Sequence, residues 1–332
     1  MNVLVTGGAG YIGSHAVKRL REAGHAVVVM DNLHRGHRAA VPGEVPFEAT
    51  DLRDTELVAQ ALGKHAIQCV MHFAALAYVG ESVTEPLNYY DNNTAGTVSL
   101  LIAMEKMGVK RLVFSSTCAT YGEPASMPIV EDMPQRPINP YGWSKLFVER
   151  VLIDYAASKP DFAFTAPRYF NVAGCASDGS IGEDHDPESH IIPVLLQVAL
   201  GQRPHFQING EDYDTPDGTC IRDYIHVEDL ADAHIAVMEA MQEGKLTGAN
   251  FFNLGIGRGY SVKEVLEAAR RVTGHAIPVK TGPRRPGDPP QLYANADKIR
   301  NAIGWQAKKS DLDEIVATAW RWFKDHAEGY QD

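Results

Sequence analysis

Apolar residues gather along this chain in short runs at residues 3–5, 27–30, 69–73, 112–114 and 164–166, rich in valine and other β-branched or aromatic side chains. Continuous runs without polar alternation suit strands that are buried on both faces. Between them the apolar spacing turns helical, as at Ile12, Ala16 and Leu20, where positions three or four apart share one face. Buried strands alternating with amphipathic helices predict an α/β fold, a doubly wound parallel sheet with helices on both sides. The rhythm lasts to about Arg168. Beyond it Gly, Asp, Pro and His accumulate through residues 174–190 and again through 209–220. The expected division is therefore a first domain over residues 1–170 and a smaller C-terminal domain over residues 171–332. A strand-like stretch at 223–227 and a helix-like one at 230–241 suggest that residues 223–241 return to the first domain, which makes the second discontinuous. No internal repeat or low-complexity tract interrupts this plan.

The composition, 45% hydrophobic and 22% charged over 332 residues, is that of a globular protein able to bury a sizeable core. A net charge of −11 argues against a general nucleic-acid or anionic-membrane surface, so an anionic ligand would need a locally basic pocket. Cys69, Cys118, Cys175 and Cys220 form no CxxC pair, and no charged leader precedes the first apolar run. Reduced thiols and a cytoplasmic location are expected. No apolar stretch approaches the ~20 residues that a membrane helix needs.

Against this background the segment Thr6-Gly7-Gly8-Ala9-Gly10-Tyr11-Ile12-Gly13 acquires meaning, because it lies between the first strand and the first helix. Gly7, Gly10 and Gly13 allow a tight turn and close approach of a diphosphate, whose charge then meets the free N–H groups of the helix start. Asp31 ends the second strand 18 residues after Gly13, where a carboxylate can accept both hydroxyls of an adenosine ribose. Together these form the fingerprint of a Rossmann dinucleotide fold, and Asp31 favours NAD by repelling a 2′-phosphate. Arg35 and Arg38 stand close behind, and an arginine swung inward could accommodate that phosphate.

A second chemical signal is Tyr141-Gly142-Trp143-Ser144-Lys145, introduced by Asn139-Pro140, an N-cap followed by proline at the first helical position. Tyrosine and lysine four apart share one helix face. A phenol titrating near 10 is a poor base at neutral pH, but an adjacent ammonium and a cationic nicotinamide both favour the phenolate. Ser115-Ser116-Thr117 closes the strand at 112–114, and strand ends are where open α/β sheets place their ligands. Thr117 could equally be a strand-end cap.

The order and spacing of these and further segments identify the chain as similar, over nearly its whole length, to the extended short-chain dehydrogenase/reductase family, in its NAD-dependent epimerase/dehydratase branch. The resemblance rests on residues 6–13, Asp31-Asn32-Leu33, Phe73-Ala74, Gly80-Glu81-Ser82, Tyr90-Asp91-Asn92-Asn93, Ser115-Ser116-Thr117, residues 141–145, Arg168-Tyr169-Phe170-Asn171, residues 222–227 and residues 284–288. It implies NAD contacts from Tyr11, Ile12, Asp31, Asn32, Asp51, Leu52, Phe73, Ala74, Asn92, Lys145 and Phe170. It implies contacts to a UDP-hexose from Thr117, Tyr141, Asn171, Arg222, Arg285 and Asp288, with the C-terminal region as the nucleotide-sugar domain, and it suggests a homodimer. The sequence departs from the branch at three places: Ala77 stands where many members have a lysine near the cofactor, Asn209 where an aromatic often lies near the uracil, and His190 where an asparagine often meets the diphosphate. Leu292 stands where a tyrosine often faces the sugar's C2 substituent, although a core role for Leu292, or a one-residue shift that brings in Tyr293, is also open.

The expected reaction is interconversion of UDP-glucose and UDP-galactose, as in galactose metabolism, with UDP-N-acetylhexosamines as possible further substrates. The C4 hydrogen of a hexose has no adjacent carbonyl to acidify it, so transient oxidation is the available route, with Tyr141 aided by Thr117 as base and NAD as hydride carrier. Arg222 and Arg285 can each offer a planar fork to a diphosphate, although surface arginines are usually just solvated. The run Glu183-Asp184-His185-Asp186-Pro187-Glu188-Ser189-His190 reads as a polar loop, since no helical spacing aligns its side chains as ligands, and no metal is expected. A dehydratase would need an acid and base after Thr117, where Cys118 and Ala119 stand instead. A non-catalytic NAD-sensing protein would have no need of the Tyr141 and Lys145 pair.

Overall fold

The valine-rich runs become strands because both of their faces are covered. The structure, a computed structural model, describes residues 1–285 and 288–331. In β1 (Asn2–Thr6) Val3 and Val5 enter one core and Leu4 the other, and β2 (Ala26–Asp31) divides Val27 and Val29 from Val28 and Met30 in the same way. Each such fully buried aliphatic side chain contributes roughly 1.5–3 kcal/mol. With β3 (Phe47–Ala49), β4 (Cys69–His72), β5 (Arg111–Phe114), β6 (Ala163–Tyr169) and β7 (Ala249–Leu254), these strands form one sheet in the order β7-β6-β5-β4-β1-β2-β3, and the short Ser116–Thr117 strand also pairs with β6. Every pairing in it is parallel.

Parallel neighbours need crossovers, and helices supply them. α1 (Tyr11–Glu22) lies on one face of the sheet, while α2 (Thr55–Lys64), α3 (Gly96–Met107) and α4 (Pro140–Ser158) lie on the other. The strand order runs outward from β1 to β3 and then jumps back to β4, so a crevice opens beyond the C-terminal ends of β1 and β4, the usual ligand position in such sheets.

After β6 the chain builds a second region around its own core, with α5 (Ile191–Ala199) at its start. It then returns to the sheet: α6 (Val227–Gln242) packs against α1, and β7 extends the sheet beside β6. α7 (Val262–Thr273) and α8 (Leu312–Asp325) complete the second core. Small sheets knit this region together, with Ile221–Arg222 flanked by Tyr260–Ser261 and Gln291–Leu292, and Asn171–Ala173 paired to Tyr224–His226.

Two strands carry no legible pattern in the sequence. β3 has only three residues. β7 is interrupted by Asn250 and Asn253, yet Asn253 is buried with its amide satisfied: its oxygen accepts from the Tyr121 hydroxyl at 2.7 Å and its nitrogen donates to the Ile129 carbonyl at 3.0 Å.

Candidate active site

The glycine loop is shaped by what lies against it. Gly7 has φ +70°, and a Cβ there would stand 2.5 Å from the Ala74 nitrogen; a Cβ on Gly13 would meet the Gly7 carbonyl oxygen at 2.0 Å. Only glycine fits either place. Gly10 is the N-cap of α1 and offers no side-chain cap, leaving the first turn open to a ligand's charge. Asp31, at the end of β2, is nearly buried; its carboxylate accepts from the backbone N–H of Ala9 at 3.0 Å and of Leu33 at 2.8 Å. Burial pushes this carboxyl up, and the two N–H donors work against that push.

A cleft begins here, lined by Gly7, Gly10, Asp31, Asn32, Asp51, Leu52, Phe73, Ala74 and Asn92 among the expected cofactor residues. Asn32 donates to Asp51 at 2.9 Å, and Arg53 holds the same carboxylate well below its ordinary range. The two arginines that could have favoured a 2′-phosphate are committed elsewhere. Arg35 donates to the Asp186 carbonyl at 2.7 Å and to Glu81, while Arg38 donates to the Val41 carbonyl and lies over the Phe47 ring. Tyr11 and Ile12 sit in the first turn of α1, and the Tyr11 hydroxyl reaches across to the Gly174 carbonyl.

Tyr141 and Lys145 lie in the first turns of α4, whose start is fixed by Asn139 accepting from the Gly142 N–H at 2.8 Å. Lys145 is buried, donates to the Ser115 carbonyl at 2.8 Å and lies 4.9 Å from the centre of the Phe114 ring. Burial brings its ammonium down to about 7, with Glu149 opposing the shift. Burial and then Tyr169 hold the Tyr141 phenol well above its ordinary value, while the nearby Thr117 hydroxyl pulls it down. Thr117 also caps the next turn, accepting from the Ala119 N–H at 3.1 Å. The strand-end cap read from the sequence is thus realised.

Several supporting residues escaped the sequence reading. His72, buried at the end of β4, lies 2.6 Å from the Thr6 hydroxyl and 2.9 Å from that of Thr97; burial, then Lys145, brings it down to about 3. Asn93 ties the 73–76 loop to α4: its side chain accepts from the Leu76 N–H at 2.8 Å and donates to the Leu76 carbonyl and the Ser144 hydroxyl, each at 3.0 Å. Behind Thr117 the buried Glu149 and Arg168 form a two-pronged ion pair at 2.9 and 2.7 Å, joined by Ser116. Glu149 was detectable in principle, since it follows Lys145 by one further helical repeat on the same face.

The expected substrate residues come from the second region. Arg222 and Asp288 form an ion pair, and Arg222 also donates to the Pro289 carbonyl at 2.7 Å. With its amide oxygen turned toward Arg285, Asn209 accepts from that guanidinium at 3.0 and 3.2 Å. Pro286 and Gly287 of the 284–288 segment lie outside the described residues. Leu292 sits across from Arg222 in a parallel strand pair and packs with Cys118 against a small core of Tyr121, Ile129, Phe170 and Ala294. That cluster links the strand end carrying Thr117 to the second region. Asn171 begins the strand beside Tyr224–His226. The nearby Asp223, not anticipated, is buried and raised to about 7 by that burial, although it accepts from the Ile256 and Ala294 N–H groups.

His190 precedes α5 inside the histidine and carboxylate run. The loop's turns do what helical spacing does not, gathering Glu183, His185, Glu188 and His190 into one cluster. A separate surface hollow, lined by Arg258, Lys263, Glu267, Arg271 and Asp313 among others, contains none of the expected site residues, and Arg271 there is paired with Asp313.

Comparison with known proteins agrees with this geometry. The family described as NAD dependent epimerase/dehydratase matches residues 3–255. A UDP-glucose 4-epimerase of Lacticaseibacillus casei is 51% identical, over 100% of this chain and 99% of its own. The crystal structure of the UDP-glucose 4-epimerase from Bifidobacterium longum in complex with NAD+ and UDP is similar with a TM-score of 0.94 and 40% identity, over 99% of this chain and 100% of that one. The UDP-Glc/GlcNAc 4-epimerase of Campylobacter jejuni has a TM-score of 0.85 and 42% identity, over 98% and 99% of the two chains. This chain belongs to the NAD dependent epimerase/dehydratase family.

Proposed function

We propose that the protein interconverts UDP-glucose and UDP-galactose by transient oxidation at C4. The observation that carries this reading is that Tyr141 and Lys145 share the start of α4, with Lys145 reaching the Ser115 carbonyl two residues before Thr117, supported by relatives of about half identity that bear this activity as their name. NAD fits the cradle, since Gly7 and Gly13 leave no room for a side chain and the Asp31 carboxylate lies against the glycine loop, accepting from the Ala9 N–H; when bound it would accept the hydride and return it. Gly7, Gly10, Tyr11, Ile12, Gly13, Asp31, Asn32, Asp51, Leu52, Phe73, Ala74, Asn92 and Phe170 would hold it.

In this scheme the Tyr141 oxygen takes the proton of the sugar's 4-hydroxyl, with Thr117 hydrogen-bonded to that oxygen and Lys145 providing positive charge that favours the phenolate. Arg222 and Arg285 bind the diphosphate, which an acidic chain needs local cations to hold, while Asn171, His190, Asn209, Asp288 and Leu292 orient the nucleotide and sugar. The 4-keto sugar turns over in the pocket, presenting the opposite face of C4 for the hydride that bound NAD would return, and Tyr141 gives the proton back to the C4 oxygen. Residues 171–226 with those after β7 are thus the substrate domain, and residues 1–170 with α6 and β7 the cofactor domain.

The chain is further read as a cytoplasmic homodimer. Its four cysteines are free thiols, and no helix among the described residues is long and apolar enough to cross a membrane. Val98 and Ile102 on α3 and Trp143 and Phe147 on α4 present exposed apolar side chains suited to a second copy. Incubating the protein with UDP-galactose and separating the products tests the main reading: UDP-glucose is expected, and a 4-keto-6-deoxy sugar or unchanged substrate would contradict it.

A further inference from the structure

The loop before α5 carries a cluster that the proton and hydride steps do not use. Both imidazoles turn Nδ1 inward: that of His185 lies 3.3 Å from Glu183 Oε1 and 3.4 Å from Glu188 Oε2, and that of His190 lies 2.9 Å from Glu183 Oε1 and 3.1 Å from Glu188 Oε1. One ligand atom from each of the four residues lies within 4.8 Å of all the others. We propose that Glu183, His185, Glu188 and His190 form a binding site for a divalent transition metal of the zinc class.

The distances fit such an ion. Tetrahedral bonds of about 2.0–2.1 Å to nitrogen and oxygen place neighbouring ligand atoms roughly 3.3 Å apart; the imidazole–carboxylate contacts of 2.9–3.4 Å are near that value, and the whole set, within 4.8 Å, needs only a small contraction around an ion. A second observation is independent of the clustering. Glu183 is 3% exposed, and its Oε1, like His185 Nδ1, is buried and completes no hydrogen bond, although His190 Nδ1 stands 2.9 Å and His185 Nδ1 3.3 Å from that oxygen. A buried carboxylate oxygen left so is costly, and a cation at the centre satisfies it. Two imidazoles with two carboxylates suit a borderline ion, whereas calcium and magnesium prefer more oxygens.

Four protein ligands make a closed site, which is structural and not catalytic. Its position gives it a consequence. The His185 ring meets the edges of Tyr11 and Tyr78, Arg35 from the cofactor cleft donates to the Asp186 carbonyl at 2.7 Å, and Arg203 donates to the Glu188 carbonyl at 3.0 Å. The ion would therefore clip the loop between the start of α1 and the second region. Coordination through Nδ1 leaves the Nε2 proton of His190 free to face a ligand phosphate.

The test uses the full-length protein. Metal analysis after dialysis is expected to find roughly one zinc per chain, the number of ions that four ligands define. After chelation, titration with Co2+ is expected to give the intense visible absorption of a tetrahedral ion and to saturate at the same ratio. Glu183→Gln should lose both signals, and His185→Gln should lose them independently in case the first variant folds poorly. Zinc should raise the thermal midpoint of chelated wild-type protein and not that of either variant. Background metal content, no cobalt band and a midpoint indifferent to zinc in wild-type protein would overturn the site, leaving a loop held by charged histidine and carboxylate pairs alone.

Discussion

Burial pushes Tyr141 away from the ionised form that its proposed role requires, and the Thr117 hydroxyl works against that push. Burial brings Lys145 down to about 7, and Glu149 opposes that shift. A phenol in this position gains its basicity from neighbours and not from its own chemistry. Tyr141→Phe should thus lower turnover by at least the ~10² typical of losing a general base, while leaving bound NAD in place. Saturating UDP-galactose assays, with acid-released nucleotide measured in parallel, check both halves; comparable turnover would remove Tyr141 from the mechanism. Leu292 offers a second test. It packs against the cluster that includes Phe170 and lies in register with Arg222, so it either borders the sugar or is core alone. If it borders the sugar, UDP-N-acetylhexosamines are secondary substrates, and Leu292→Tyr should lower kcat/KM for them relative to plain UDP-hexoses by roughly 10- to 200-fold, the discrimination typical of small size differences in an apolar pocket. An unchanged ratio would leave Leu292 with packing only.

Elements were legible where one periodicity ruled. The strands at 3–5, 27–30 and 112–114 are buried on both faces, so their sequence carries an unbroken apolar signal. β7 was not legible, because its two asparagines are satisfied by Tyr121, Ile129 and neighbouring backbone that only the fold brings near. The same holds for the site. Tyr141 and Lys145 share a helix and could be paired from spacing, whereas His72, Asn93 and Asp223 act through contacts distant in sequence. The histidine loop shows the converse, since irregular turns assemble a cluster that helical spacing argued against. One helix pair also exposes what the monomer does not bury: the Trp143 and Phe147 rings lie 5.6 Å apart on α4, and Ile102 on α3 is 53% exposed. If these faces meet a second copy, Phe147→Glu places a charge in an apolar interface and should shift the protein from dimer to monomer in sedimentation analysis. A wild-type monomer at micromolar concentration would contradict the dimer.

Across the whole molecule, acid should act through buried neutral histidines. His72 is brought down to about 3 and His234 to about 4, chiefly by burial, and His226 is lowered as well. Their folded values lie below the ordinary 6.5, so the unfolded chain takes up protons below about pH 6.5 that the native state refuses until about pH 3–4. Stability from this source is complete above pH 6.5 and is lost as pH falls through that window, by up to about 1.4 kcal/mol per pH unit for each histidine. Denaturant midpoints measured from pH 7 to pH 5 should fall, and His234→Leu should flatten the slope by one histidine's share; an equal slope in the variant would refute its contribution. The central claim concerns the hydride. A carbon inverted by internal oxidation and return keeps its own hydrogen, whereas one inverted through deprotonation exchanges with water. UDP-galactose deuterated at C4, incubated with the protein in ordinary water, should yield UDP-glucose that retains deuterium at C4 by NMR and mass spectrometry; product carrying solvent hydrogen at C4 would contradict the account.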